Sequence, residues 1–235
     1  MPNLFSKYGR LALRAEEAGK KAFFVAAAGT SVLTEMQKHF VGDEDGVTRV
    51  YTTIDAANGS CVANRGDIIY VLPGYSETLS TAGAIALDVA GVSVIGLGNG
   101  SDRPELTFST DIAASVTVSA ANVKIENIVG IAGIDGLTSP FNVTGNYCSL
   151  DIEWQDASAT VEAETAVRLD TADGGRLKLV YKGFTAGNAA VRPVAVDDCD
   201  NVDISIDGYG VVSTAWVNLV DAASTNVKVS GSLYT

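Results

Sequence analysis

Pairs of carboxylates are the residues of this sequence whose spacing could support catalysis. Glycoside hydrolysis uses two carboxyl groups held several ångströms apart, and one strand or two neighbouring strands of a sheet can supply them. Three groups have a suitable spacing: Asp197-Asp198 with Asp200, Asp151 with Glu153, and Asp203 with Asp207. The same acids also suit the solvated surface of a protein with an isoelectric point of about 4.4. We favour the surface interpretation because a sugar cleft needs walls, and the sequence shows no long loops to build them.

The other side chains that such chemistry needs are missing or scattered. The single histidine, His39, precedes the stretch that carries the acids. Arg168 and Arg176, which a lyase would place opposite calcium-binding acids, belong to no recognisable motif. We therefore predict that the protein is not an enzyme and has no catalytic, cofactor-binding or metal-binding residues. The three cysteines agree with this, because their positions have no metal-ligand spacing: Cys61, Cys148 and Cys199.

Two short polar motifs are interpreted as turns. Residues 42–46 contain three consecutive acids between glycines, but they lack the alternating ligands and closing Glu of a calcium loop. Arg65-Gly66-Asp67 spells a cell-adhesion tripeptide. Gly66 also suits a tight turn before a buried strand, and this structural interpretation is preferred.

A repeat of about 25 residues must position these side chains. One apolar column reads Val92, Val123, Cys148, Leu177, Val202 and Val227, and a second reads Val94, Ile125, Leu150, Leu179, Ile204 and Val229. The position between them is always polar: Ser93, Lys124, Ser149, Lys178, Asp203 and Lys228. Alternation with a period of two predicts a half-buried strand, and the longer repeat predicts stacked units that share one core.

Each unit is predicted to contain further strands joined by polar turns. Strands before the turn are predicted at residues 85–89, 116–118, 141–143, 167–169, 194–196 and at Leu219, with less regular third strands at 106–108 and 128–134. Asn122, Asn201 and Asn226 come immediately before the repeated strand. Because Asn tolerates left-handed backbone, these positions predict a ladder of Asn turns.

The charge of the chain is divided unevenly. Residues 1–30 carry five basic and two acidic side chains, so their charge is +3, and the overall −12 leaves −15 on the remainder. We expect an extended basic arm here, followed by a short helix that begins at Thr30 or Ser31 and runs through Phe40. The acidic remainder argues against nucleic acid as a partner. No apolar stretch approaches the roughly 18 residues of a membrane span.

The start of the repeats resembles a known architecture. Residues 53–62 predict a short helix with Ile54, Ala57 and Cys61 on one face, and a buried strand follows that ends at Pro73-Gly74. This order resembles the opening of right-handed parallel β-helix proteins of the pectin lyase-like superfamily, in which an N-terminal helix closes the hydrophobic end. Over residues 47–235 the resemblance implies an all-β fold, a right-handed parallel β-helix of about six coils with a short N-terminal capping helix and an extended N-terminal arm. Residues 1–46 would then be the attachment segment, and 47–235 the β-helix domain.

Three runs, at residues 43–55, 63–74 and 88–100, are similar to phage and prophage proteins. This resemblance implies a non-enzymatic structural protein of a tailed-phage virion, and our first interpretation is a head decoration or cement protein. The expected partner is the major capsid protein, the expected state a homotrimer, and the expected location the virion, after synthesis in the bacterial cytoplasm without a signal peptide. The expected attachment residues are Lys7, Arg10, Arg14, Lys20, Lys21, Phe23 and Phe24.

An alternative remains open, a tail spike or fibre module that binds a host surface glycan. There the basic arm would attach to the tail, and the side of the coil would carry the sugar site. In either case the last repeated strand reaches Leu233-Tyr234 without a polar cap. Since an open strand edge invites pairing, we expect another subunit to cover this end or a side face of the coil.

Overall fold

Two parallel sheets wind around a common core in the computed structural model, which describes residues 4–40, 48–183, 192–210, 212, 214–220 and 223–234. The long sheet has eleven strands and the short sheet six. The chain forms a parallel β-solenoid of about seven turns, consistent with a right-handed β-helix. The predicted fold class is confirmed, with one turn more than the sequence indicated.

The elements are numbered in chain order. The helices are α1 (Leu4–Glu17), α2 (Ser31–His39) and α3 (Ile54–Asn58), with one 3-10 turn at Gly100–Asp102. The long sheet contains β1 (Ala22–Val25), β2 (Val50–Tyr51), β3 (Ile68–Val71), β4 (Ser76–Leu79), β6 (Ser93–Gly96), β7 (Glu105–Phe108), β9 (Lys124–Ala132), β11 (Ser149–Gln155), β13 (Arg176–Lys182), β15 (Asp203–Tyr209) and β17 (Lys228–Tyr234). The short sheet contains β5 (Ile85–Leu87), β8 (Val116–Val118), β10 (Phe141–Val143), β12 (Val167–Asp170), β14 (Val194–Asp197) and β16 (Val217–Leu219).

The repeated strands stack in register, with one correction to the sequence alignment. Leu177 pairs with Leu150 and Ile204, and not with Cys148 and Val202 as the repeat suggested. The inward column is therefore Val94, Ile125, Leu150, Leu177, Ile204 and Val229. A slip of two residues keeps every side chain on the same face of the sheet. The sequence alignment therefore assigned the side chains to the correct face of the sheet, although its register was wrong by two residues.

A ladder of left-handed residues turns the chain from the short sheet into the long one. Seven residues, each two positions before the first residue of a long-sheet strand, have φ between +53° and +79°: Gly66, Gly91, Asn122, Tyr147, Gly174, Asn201 and Asn226. Gly and Asn are the residues that adopt this conformation at least cost. The Nδ2 of Asn226 donates to Asn201 Oδ1 at 3.1 Å, so side chains also join successive turns. The predicted Asn ladder is confirmed.

The N-terminal segment is not the extended arm that the sequence predicted. α1 forms at Leu4–Glu17, and β1 pairs in parallel with both β2 and β3 inside the long sheet. Phe23 and Val25 contribute to the solenoid core, while Phe24 belongs to a second apolar cluster that also contains Ala15 of α1 and Met36 of α2. Because both faces of β1 are buried, its sequence is uniformly apolar and lacks the alternation by which strands are recognised.

Helix α2 agrees with the prediction, because Thr30 is its N-cap and the Thr30 hydroxyl accepts the amide of Leu33 at 3.2 Å. Helix α3 also agrees, and it closes one end of the short sheet. Asp55 Oδ1 accepts the amide of Ala86 at 2.9 Å, and Asn58 Nδ2 donates to the Ala86 carbonyl at 2.9 Å. Ala86 is the middle residue of the edge strand β5. The helix thus covers the core and satisfies the exposed backbone of the first strand.

Candidate functional site

The exposed basic face of α1 is the candidate attachment site. Arg10 and Arg14 are exposed, whereas Gly9 and Ala15 on the opposite side are buried against the body. Lys7 also belongs to α1, but its side chain lies outside the described part of the protein. The helix therefore presents at least two guanidinium groups on a protein whose net charge is −12.

The structure contradicts the expected attachment role of Phe23 and Phe24. Phe23 and Phe24 have no exposed surface, because β1 lies between two strands and beneath α1 and α2. Neither ring is available to a partner. Lys20 and Lys21 are half-buried at the start of β1. Of the expected attachment residues with described side chains, only Arg10 and Arg14 are exposed.

Arg49 holds α1 on the solenoid. Its NH2 group lies 3.1 Å from Glu16 Oε1 on the helix, and its NH1 group donates to the Ala22 carbonyl of β1 at 3.2 Å. The guanidinium also lies 5.7 Å from the centre of the Phe23 ring, at a cation–π distance. Only 5 % of the Arg49 side chain is exposed. The basic face is consequently part of a fixed surface.

Asp67 is the buried residue of the Arg65-Gly66-Asp67 tripeptide, and Arg65 and Gly66 are half-buried. Both carboxylate oxygens of Asp67 accept from the Arg65 guanidinium at 2.6 Å, and they also accept the amides of Val62 and Lys21 at 2.8 and 2.9 Å. Burial alone raises the pKa of Asp67, but these hydrogen bonds outweigh it and hold the pKa below its usual value. Asp67 has no exposed surface, so the tripeptide joins β1 to the segment after α3 and cannot present its carboxylate to a receptor.

The predicted carboxylate pairs are engaged by cations. Asp197 lies 2.6 Å from Arg168, and Asp151 lies 3.0 Å from Lys178. The third pair, Asp203 with Asp207, lies on β15. The repeat aligned Asp203 with Lys178, but the strand register places Arg176 opposite it. The distance between the Arg176 guanidinium and the Asp203 carboxylate is 4.0 Å. Each candidate pair thus has at least one carboxylate within 4.0 Å of a cation, which suits the charged surface predicted for these acids.

Glu153, the second acid of the Asp151 pair, has two cationic partners. Its carboxylate contacts Lys182 at 2.6 Å and Arg103 at 2.8 Å, and it also accepts from the Gln155 amide. Burial raises the pKa of Glu153, but these three donors outweigh it and lower the pKa overall. The ionised form is therefore stabilised, which suits a structural ion-pair cluster.

Two buried acids with raised pKa values were not identified from the sequence. Asp156 accepts from Trp154 Nε1 at 2.8 Å and from the Tyr181 hydroxyl, and burial nevertheless raises its pKa. Glu162 is 2 % exposed, its Oε2 makes no hydrogen bond, and burial followed by the charges of Asp156 and Asp135 raises its pKa. Asp156 continues the inward alternation of Leu150, Ile152 and Trp154 on β11, so the sequence pattern could have identified it as buried. No sequence pattern indicated that Glu162 is buried.

The outer faces of both sheets carry shallow polar concavities. A concavity of about 420 Å³ on the long sheet is lined by Arg103, Glu126, Asn127, Asp151, Glu153 and Lys178, among others. Another, of about 310 Å³ on the short sheet, is lined by Thr138, Ser139, Glu164, Arg168, Arg192 and Asn218, among others. Over the residues with described structure, no group of three or more His, Cys, Asp and Glu side chains is placed to hold a metal ion.

The fold and these surfaces define a parallel β-solenoid protein. No family model, no curated protein and no solved structure matches the chain. Among the described helices, none has the length and apolar character needed to span a membrane.

Proposed function

We propose that this protein is a non-enzymatic structural protein of a tailed-phage virion, a head decoration or cement protein that binds the major capsid protein. The observation that carries the proposal is the basic face of α1 fixed on a rigid acidic solenoid. Arg10 and Arg14 are exposed there, and Arg49 fastens the helix to the body. The ion pairs formed by the candidate carboxylates are consistent with a role without catalysis.

A rigid body with a localised basic surface suits attachment to a repeating lattice. Each copy would contribute a small contact, and an assembly of several copies would bind through all of them together. A homotrimer on the capsid surface meets this requirement and is part of the proposal. The position of β1 modifies the mechanism, because attachment would use the outer face of α1 and not an arm that reaches across capsomers.

The test is binding of the purified protein to expanded capsids that lack it. The double variant Arg10→Glu with Arg14→Glu reverses the charge of the basic face, and we expect binding to be lost. Lys38→Glu on α2 is the matched control, because this lysine is exposed and its change alters the net charge in the same direction. Circular dichroism should show the same β content in all three proteins. Undiminished binding by the double variant would refute the proposal.

The number of copies in a virion provides a second test. Quantitative mass spectrometry of purified virions should find hundreds of copies if the protein covers the head. A handful of copies would place it in the tail and would contradict the decoration role.

A second candidate function, glycan binding by a tail spike or fibre module, is favoured by the concavity on the short sheet. Arg168, Arg192 and Asn218 line it together with hydroxyl groups, a set that hydrogen-bonds to sugars. Binding on a glycan array that is lost in Arg168→Ala, or release of oligosaccharide that is lost in Asp197→Asn, would favour this function over decoration.

A further inference from the structure

The end of the solenoid opposite α3 is apolar and nearly uncharged. Six large apolar side chains here are between 43 % and 55 % exposed: Tyr209, Leu219, Val220, Val229, Leu233 and Tyr234. In the sequence of residues 214–235, Asp221 and Lys228 are the two charged residues. In a protein with 28 acidic residues this composition marks the end as a surface that avoids charge. Depletion of charge is typical of the centre of a protein interface.

The outer edge of β17 offers free backbone groups at alternate residues. The Lys228 amide donates to the Val202 carbonyl at 2.8 Å, and the Tyr234 carbonyl accepts the Gly210 amide at 2.9 Å. In a parallel pair, both backbone groups of one residue point to the same neighbour. Val229, Gly231 and Leu233 therefore direct their N–H and C=O groups away from β15, toward the open edge.

The two ends of the solenoid are not complementary to each other. At the α3 end, Asp55 and Asn58 already occupy the backbone of β5, and α3 covers the core. Stacking of copies head to tail would have to displace this helix. Two open ends can meet directly, and such a contact also keeps the acidic side faces of the two copies apart.

We propose that this end is the interface of a two-fold dimer, in which β17 pairs antiparallel with β17 of a second copy of this chain. The inference is independent of the proposed capsid role: the two-fold dimer is proposed for the free protein in solution, and the homotrimer only for the protein bound to the capsid. In the dimer the two long sheets become continuous through the paired edges. The inward column, which ends at the half-exposed Val229, would be covered by the corresponding column of the second copy.

One register of the antiparallel β17 pair leaves none of these edge N–H and C=O groups unpaired. With Gly231 opposite Gly231 of the second copy, Val229 lies opposite Leu233, and every free N–H and C=O group of the three edge residues is paired. Both apolar side chains then face each other in the extended core. Lys228 lies opposite Tyr234, so the two lysines are at opposite ends of the pair and each is close to an aromatic ring.

The first experiment measures mass by size-exclusion chromatography with light scattering on the full chain. We expect twice the 24.3 kDa chain mass for the native sequence and a single chain for Val229→Lys, because an inward-pointing charge blocks edge pairing. Ile112→Lys is the matched control and should stay dimeric, since Ile112 is as exposed as Val229, at 52 % against 55 %, but lies elsewhere. A single-chain mass for the native protein overturns the proposal. So does any larger mass, including three chains, that Val229→Lys leaves unchanged.

The second experiment tests the register and does not depend on a charged substitution. Ser230 and Ser232 of opposite copies form a close non-hydrogen-bonded pair in the proposed register, where a disulfide fits. Oxidation of a mixture of Ser230→Cys and Ser232→Cys proteins should give a covalent dimer, and oxidation of either protein alone should not. Cys148 and Cys199 are buried, and burial first, with a smaller contribution from Asp67, raises the pKa of Cys61 to about 12, so the native thiols should not compete. A covalent Ser230→Cys dimer formed alone overturns the register, and no product from the mixture overturns the interface.

Discussion

At the scale of single residues, two buried acids differ in ionisation because only one of them has donors that outweigh the effect of burial. Asp67 and Glu162 are 0 % and 2 % exposed. Asp67 accepts four hydrogen bonds, two of them from a guanidinium, and its pKa is lowered. Burial, followed by the charges of Asp156 and Asp135, raises the pKa of Glu162, and its Oε2 has no donor to offset this. Asp67 therefore stabilises the fold as an anion, and Glu162 stabilises it as a neutral acid.

Glu162→Gln should stabilise the protein at neutral and alkaline pH. Because the folded-state pKa of Glu162 is raised, its favourable contribution is complete below the unfolded value of about 4.3 and is lost as the pH rises through the folded pKa. Gln keeps the shape of the side chain and cannot ionise. We expect a gain of about 1–3 kcal/mol in the free energy of unfolding at pH 8 and no gain at pH 4, measured by denaturant titration.

Glu164→Gln is the control for this change. Glu164 is two residues away, is partly exposed and forms an ion pair with Arg192. Its substitution should give no stabilisation at either pH. The other titratable groups around Glu162, namely Asp135, Asp156 and Tyr181, are unchanged in both variants. Equal effects of the two substitutions at pH 8 would contradict the role assigned to Glu162.

At the scale of elements, α3 has two functions that a hydrophobic plug alone would not provide. Ile54 and Ala57 pack on the core, and the polar side chains of Asp55 and Asn58 bind the backbone of β5. Asn58 also donates to Asp88 at 2.9 Å, which fixes the end of the strand. The helix thereby removes an open edge at this end of the short sheet, and such edges promote aggregation.

Asp55→Ala should destabilise the protein by about 0.5–1.5 kcal/mol, because it removes the acceptor of the Ala86 amide at an exposed site. Asp55→Asn is the matched variant. It retains an oxygen acceptor at the same position and should have the smaller effect. Hydrogen exchange followed by mass spectrometry should also show faster exchange at β5 in Asp55→Ala than in Asp55→Asn. The same exchange rate in both variants would show that the helix protects β5 by packing alone.

At the scale of the whole molecule, the solenoid is a stack in which each turn contacts only its neighbours, so the cost of a substitution depends on its position in the stack. Leu150 and Val229 occupy the same inward column. Leu150 is 2 % exposed between two neighbouring strands, whereas Val229 is 55 % exposed on the last strand.

Leu150→Ala should therefore cost about 2–5 kcal/mol and Val229→Ala within about 0.5 kcal/mol. The free energies should be measured by urea titration, at a concentration where light scattering finds one chain for each particle. A large cost for Val229→Ala under that condition would mean that the last strand is packed as tightly as the interior ones.

Local patterns predicted most of the coil but missed what depends on distant partners. Most strands of both sheets, α2, α3 and the left-handed Asn positions follow from alternation, capping residues and turn chemistry within a few neighbouring residues. β1, β2 and β4 were not predicted. The register of Leu177 was wrong by two positions because turn lengths vary between repeats, and an even slip leaves the pattern unchanged. Tyr147, at φ +59°, is in the same ladder as Asn122 and Gly174, although its residue type gave no indication of it.

The sequence by itself determined a parallel β-solenoid, because periods of two and of about 25 residues specify buried faces and stacked units. Only the tertiary structure decided that residues 22–25 form a strand inside the long sheet and that Phe23 and Phe24 are buried. It also decided which acids are paired and which end of the stack is open. Burial on both faces removes a strand's alternation, and a side chain's ionisation depends on partners from other turns. Neither effect is encoded in neighbouring residues.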